Sequence, residues 1–253
     1  MTSQHVRIIV PTKLERLDHL RSCISSILKL GLKIVAVVPR ESTFIPDLLI
    51  SPDIDVIKQN APGLVNAINQ GIEYLPDEVE FFSWLGDDDL LSNSFLEYGI
   101  NHLLLDTLCV MTYGRCRYID SKGNLIWINK SGNYAKWILA FGPNLIPQPG
   151  SLFRVSAVKK VGMLDNRYQN SFDHDLYLKL KKVGRMKFFP HEFSSFRWHA
   201  GSLSVIDRKI SCLESKKIRL ASKKNFIYFL IQSFIEPLIF LIVYHAPKFL
   251  FKK

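Results

Sequence analysis

The chain has only four cysteines, Cys23, Cys109, Cys116 and Cys212, and no two of them form a CxxC pair or stand at a metal-ligand spacing. A disulfide framework and the common structural zinc patterns are therefore not expected, and reduced cytosolic thiols are. No stretch is dominated by Gly, Ser or Pro, and no internal repeat is present, so disordered and repeat architectures are set aside. The phosphate loops GxGxxG and GxxxxGK[ST] are missing, which argues against dinucleotide oxidoreductases and P-loop NTPases. HExxH and Gly-x-Ser-x-Gly are missing too. The apolar run that closes at Pro11 is too short for a signal peptide, and secretion is not expected.

What the chain does have is enough apolar residue to bury a core. It is 253 residues long, 47% hydrophobic and 22% charged, which predicts one main domain. Its net charge of +10 suits nucleic acid, anionic lipid or phosphate-bearing ligands and does not choose among them. Much of that excess is late, between Arg208 and Lys224 and again at Lys248, Lys252 and Lys253.

Val6–Val10 is a β-branched run stopped by Pro11-Thr12, and it predicts a buried strand. Leu17, Leu20, Cys23, Ile24, Ile27 and Leu28 recur at helical spacing up to Gly31. Buried strands are predicted at Lys33–Val38, Ile54–Ile57 and Glu80–Leu85, with a helix over Gly63–Tyr74. Strands alternating with helices imply βαβ crossovers and a mostly parallel sheet, with ligands beyond the carboxyl ends of its strands. The second half predicts a hairpin, Val110–Tyr118 with Leu125–Asn129, around the turn Asp120–Gly123. A loop follows from Gly142 to Gly150, then helices over Val155–Val161 and Asp173–Val183.

Three adjacent carboxylates, Asp87, Asp88 and Asp89, end the Glu80–Leu85 strand. They repel one another unless a cation or donor groups compensate. Hard Mg²⁺ or Mn²⁺, bridging one or two such carboxylates and a substrate diphosphate, is one reading. A solvated loop that caps a helix beginning near Ser92 or Asn93 is the other. Asp173 and Asp175 stand at i and i+2 where a helix begins, which suits capping or a general base acting on an attacking hydroxyl. His199, beside Arg197 and before Gly201 and Ser202, is either structural or faces a diphosphate or its metal. Gln148-Pro149-Gly150-Ser151 reads as a turn, and Asn66, Asn69 and Gly71 as a solvated helix face or a nucleotide-lining one.

Taken in order, these segments resemble the family 2 glycosyltransferases, inverting enzymes with the Rossmann-like GT-A fold. Arg7–Thr12 is similar to the family's first strand, and Asn60–Gly63 with Asn66, Asn69 and Gly71 to the helix before its metal strand. Ser83–Leu90 is similar to its DxD region. Pro147–Arg154, Val161–Asp165 and Phe172–Leu180 resemble its acceptor-side block, and Arg197–Ser204 its closing His-containing loop. The resemblance covers residues 5–205 and implies a catalytic domain of that extent. It implies a nucleotide-sugar donor contacted by Pro11, Thr12, Asn66, Asp87, Asp88, Arg197 and His199, and a divalent Mn or Mg on Asp88, Asp89 and His199. It further implies Asp173 as catalytic base and an acceptor saccharide near Gln148, Pro149, Gly150 and Asp175. Two features depart from the pattern. The second strand runs into Pro39-Arg40-Glu41-Ser42 instead of acids, and three consecutive aspartates leave the DxD register open.

Residues 206–253 form a basic and apolar tail. Phe226–Tyr244 is 19 residues long, close to a bilayer span, yet Gln232, Ser233, Glu236 and Pro237 interrupt it. A helix lying in the interface against anionic lipid is expected, with packing on the domain or on a second copy as alternatives. The expected protein is cytoplasmic, peripheral on the inner face of the cell membrane, and serves cell-surface polysaccharide assembly on a saccharide or lipid-linked acceptor; nucleic acid is not expected. A sugar nucleotidyltransferase and a catalytically inactive nucleotide-sugar binding module are the competing readings.

Overall fold

The computed structural model describes residues 2–198 and 208–222. Strand β1 (Val6–Pro11) is buried from Val6 to Val10 because helices cover both faces of the sheet. Helix α1 (Leu17–Leu28) presents Leu20, Cys23, Ile24 and Ile27 to one face, the i, i+3, i+4, i+7 stripe legible in the sequence. It stops at Gly31, whose φ of +67° suits a residue without a Cβ. Strands β2 (Lys33–Val38) and β3 (Ile54–Lys58) follow, then helix α2 (Leu64–Tyr74) and strand β4 (Phe81–Trp84). These four strands are parallel in the order β3-β2-β1-β4.

Past β4 the sheet becomes mixed. Strand β5 (Leu90–Leu91) leads to a π-helical turn over Phe95–Ile100 and helix α3 (Asn101–Leu105). Strands β6 (Cys109–Ile119) and β7 (Leu125–Asn129) form the expected hairpin. Its turn is held by Asp120, whose Oδ1 accepts the N–H groups of Lys122 and Asn124. Helix α4 (Ala135–Ile138), strand β8 (Leu152–Arg154), helices α5 (Val155–Lys160) and α6 (Phe172–Leu180), strand β9 (Arg185–Arg197) and helix α7 (Arg208–Ala221) complete the order. The sheet extends from β4 through β8, β6 and β9 to β5. β8 is antiparallel to β4 and β6, whereas β9 runs parallel to β6.

Two cores lie on the two faces. One joins β1, β4 and β8 to α2, α5, α6 and Ile218 of α7; the other packs α1 and α3. On the first face Trp84 stacks on Phe153, with ring centroids 4.8 Å apart. Helix α2 approaches β1 so closely that a Cβ at Gly71 would sit 2.6 Å from Ile9 Cγ2, so Gly71 is a packing residue. Within residues 206–253, α7 packs on the domain through Ile218 and Arg219. Among the described residues no helix is long and apolar enough to cross a membrane; Phe226–Tyr244 lies outside them.

Candidate active site

The parallel strands β1 and β4 deliver their carboxyl ends to one rim. There Leu85 N–H donates to Ile9 O, and Asp89 N–H closes a turn onto Gly86 O. Gly86 lets the carboxylates approach the turn, since a Cβ there would come within 2.9 Å of Asp89 Oδ2 and 3.1 Å of Asp88 Oδ1. The three carboxylates diverge in role. Asp87 Oδ2 accepts the Thr12 hydroxyl at 2.7 Å, which ties the triplet to the end of β1 beside Pro11. Arg16 spans Asp87 and Asp88, at 3.5 and 2.9 Å. Asp89 is buried, and its Oδ1 accepts Arg197 N–H.

Burial, reinforced by the Asp88 carboxylate, pushes Asp89 well above the usual carboxylate range. Burial also raises Asp87, against the Thr12 hydroxyl bond that lowers it. Burial and the aspartates likewise raise Cys23, whose Sγ donates to Gly86 O at 3.4 Å, and this keeps it a thiol. The site thus gathers three carboxylates at one turn, with Arg16 bridging two of them.

The segments around Gln148 and Phe172 reach the same rim. Phe172 packs against Trp84 with centroids 6.3 Å apart, so the start of α6 lies beside the end of β4. Gln148 Nε2 donates to Trp84 O at 2.9 Å, binding the 142–150 loop to the strand that leads into the triplet. Pro149 O accepts the Ser194 hydroxyl. Gly150, at φ +79°, lies against Ser194 and Phe193, where a Cβ would come within 3.0 Å of both.

Asp173 is partly covered. Its Oδ2 accepts Asn144 Nδ2 at 2.8 Å, and its Oδ1 accepts His174 N–H. Burial pushes it up to about 6, the main force against hydrogen bonds that lower it. A carboxylate poised there is a competent base near neutral pH. Asp175 is held by Lys179 at 2.6 Å, one turn along the same helix.

Other expected site residues are placed as follows. Asn66 Nδ2 donates to Pro62 O. Asn69 bonds Leu164 reciprocally, joining α2 to the 161–165 loop. Arg197 is turned inward, its guanidinium donating to the carbonyls of Asp88, Asp120 and Ser121, so it clamps the hairpin turn to the triplet. His199 lies outside the described residues.

No family model matches the chain. It is 32% identical over 144 residues to an uncharacterized glycosyltransferase of Rickettsia typhi, covering 53% of this chain and 43% of that one. It is 27% identical over 164 residues to one of Rickettsia conorii, covering 61% and 27%. The chain thus spans less than half the length of these curated relatives. Among solved structures it is similar to S. aureus TarS 1-349 in complex with UDP-GlcNAc: TM-score 0.62, 11% identity, 90% of this chain and 70% of that one. The UDP complex gives 0.60 at 11% identity, covering 90% and 69%. The likeness to TarS is one of fold.

Sequence reading missed three groups. Arg16 lies in a loop with no recognisable signature. Asn144 is three residues before Pro147, where the acceptor-side resemblance begins. Glu214 of α7 accepts the N–H groups of Gln169, Asn170 and Ser171, each at 2.9 Å, and sits in a stretch read only for its positive charge. Among the described residues, the trio of metal-ligating types whose atoms come together is His102, Asp106 and Cys109, at the end of α3. There Asp106 Oδ1 is taken by Arg185 and Leu108 N–H. The Asp87–Asp89 oxygens do not converge as a trio.

Proposed function

We propose that this chain transfers a sugar from a nucleotide-diphosphate-sugar to an acceptor hydroxyl with inversion of configuration. One observation carries the reading: the aspartate triplet and Asp173 reach the same rim of the sheet, joined by the Gln148–Trp84 bond and the Phe172–Trp84 contact. A fold that kept only binding has no need of a raised carboxyl beside the start of α6. The names of the curated relatives support sugar transfer, and the TarS complex supports a nucleotide-sugar donor.

The carboxylate oxygens of the triplet fit a hard divalent cation, Mn or Mg. Burial and mutual repulsion raise Asp87 and Asp89, a cost that a dication relieves. One or two protein carboxylates suffice when diphosphate oxygens fill the other positions, so convergence of all three is unnecessary. Asp88 and Asp89, with His199, would hold it. The ion supplies charge neutralisation to the departing nucleoside diphosphate.

The chain's own residues do the rest. Thr12 and Asp87 offer a hydroxyl and a carboxylate to the donor's ribose. Arg16, half-exposed on Asp87 and Asp88, is placed to turn onto phosphate oxygens. Asn144 orients Asp173, which takes the proton from the acceptor hydroxyl as that oxygen attacks the anomeric carbon. Gln148, Pro149 and Gly150 shape the acceptor side. A saccharide acceptor, lipid-linked at the inner membrane face, agrees with the basic α7 and the apolar sequence that follows it.

The test is a panel of nucleotide sugars with the full-length chain, Mn²⁺ and candidate saccharides, scored by released nucleoside diphosphate and by the anomeric configuration of the product. Retained configuration rejects the single displacement. No release with any donor rejects the transferase reading.

A further inference from the structure

The groups that hold the start of α6 come from a helix beyond every segment that resembles the transferase family. Helix α7 is strongly basic, with five Lys and Arg among fourteen residues, and it has one acid, Glu214. A surface helix that met only lipid or water would leave that acid outside. Instead Glu214 is buried, and its two oxygens accept three consecutive main-chain N–H groups, those of Gln169, Asn170 and Ser171. These are the residues directly before α6, where main-chain donors have no helical partner of their own.

A second row of bonds runs beside the first. Ser171 Oγ donates to Ser211 O and accepts the Ser215 hydroxyl, and Ser215 Oγ lies 3.3 Å from His174 Nδ1. His174 is itself buried, with Nε2 donating to Leu139 O at 2.8 Å. One turn further along α7, Ile218 enters the core and buried Arg219 donates to Gly142 O. Gly142 opens the loop that carries Asn144, and Asn144 holds the Asp173 carboxylate. Helix α7 therefore grips both segments that fix Asp173: residues 169–171 through Glu214, and the 142–144 loop through Arg219.

We propose that Glu214, with Arg219, is a positioning residue that aims Asp173 at the acceptor, so that the basic helix is part of the catalytic apparatus. This rests on the transferase reading above. The aim of a base decides turnover, because misplacement by about 1 Å costs on the order of 10²-fold. Donor binding at the triplet uses none of these bonds. The effect should therefore fall on kcat and spare the donor KM.

The experiment uses the full-length chain with Glu214→Ala, Glu214→Gln and Arg219→Met. Two readouts are taken: steady-state donor turnover, including slow hydrolysis of the nucleotide sugar, and amide exchange by mass spectrometry. Glu214→Ala is expected to lower kcat by about 10²-fold with donor KM within about twofold. Glu214→Gln, which keeps an acceptor oxygen, should recover part of that loss. Exchange should quicken over residues 142–146 and 169–174 and stay unchanged over β1 to β4. Arg219→Met should quicken 142–146 first, and it serves if Glu214→Ala does not fold. Unchanged exchange in these segments overturns the proposal whether or not a substrate is known. So does a variant with lower Tm but full kcat, since that is a purely structural role. If the unaltered chain turns over no donor, the transferase reading fails, and amide exchange alone decides whether α7 braces the segment.

Discussion

Replacing Asp173 by Asn separates its role in turnover from its effect on the fold. Asn cannot accept the acceptor proton, so turnover should fall by about 10²–10⁴-fold while nucleotide affinity holds. The effect on stability has the opposite sign at neutral pH. In the folded chain the carboxyl is raised from 3.8 to about 6, chiefly by burial. As pH rises between those values the unfolded chain sheds its proton first, so stability is full below about 3.8 and falls as pH passes through 6. At ~1.4 kcal/mol per pH unit the ionised group costs the fold at most about 3 kcal/mol at pH 8, and less where water reaches it. Asn removes that cost. It also faces the Asn144 amide with its own, losing one hydrogen bond worth about 1 kcal/mol. Asp173→Asn is therefore expected to melt below the parent near pH 4 and above it at pH 8, by a few degrees in each case at about 2–4 °C per kcal/mol. Calorimetry across pH 4–8 checks the crossing. A melting difference that does not change with pH refutes the burial argument, and full turnover refutes the role as base.

Nucleoside diphosphate binding should require Mn²⁺ or Mg²⁺ and weaken in Asp88→Asn; calorimetric titrations of UDP, GDP and dTDP that match in chelator would remove the metal. Gly71→Ala should destabilise by about 1–3 kcal/mol, since the added Cβ meets Ile9 at 2.6 Å, and an unchanged denaturant midpoint would contradict that packing. Deleting residues from Phe226 onward should release the chain from anionic liposomes while its melting temperature holds, because α7 ends at Ala221. Cosedimentation at low and high salt reads this, and full-length protein left in the supernatant would exclude docking.

By itself the sequence determined the first half of the fold. From Val6 to Trp84 each strand is a short apolar run and each helix an amphipathic stripe, closed by Gly31, Pro39 or Gly63. Such signals are local, and the observed boundaries agree within a residue or two. The hairpin was legible for the same reason, being a turn written in a few adjacent residues. The mixed half of the sheet was not. Strand β8 has three residues, and β9 holds Pro190 within thirteen, so neither shows a clear period and both are strands because β6 lies between them. The inward turn of Arg197, the bond between Asn69 and Leu164, and the hold of Glu214 on Gln169–Ser171 also escaped. Each joins residues 43 to 109 positions apart, and a contact at that separation leaves no periodic trace in the chain. A charged side chain reads as surface until the fold supplies buried N–H or carbonyl groups for it to satisfy.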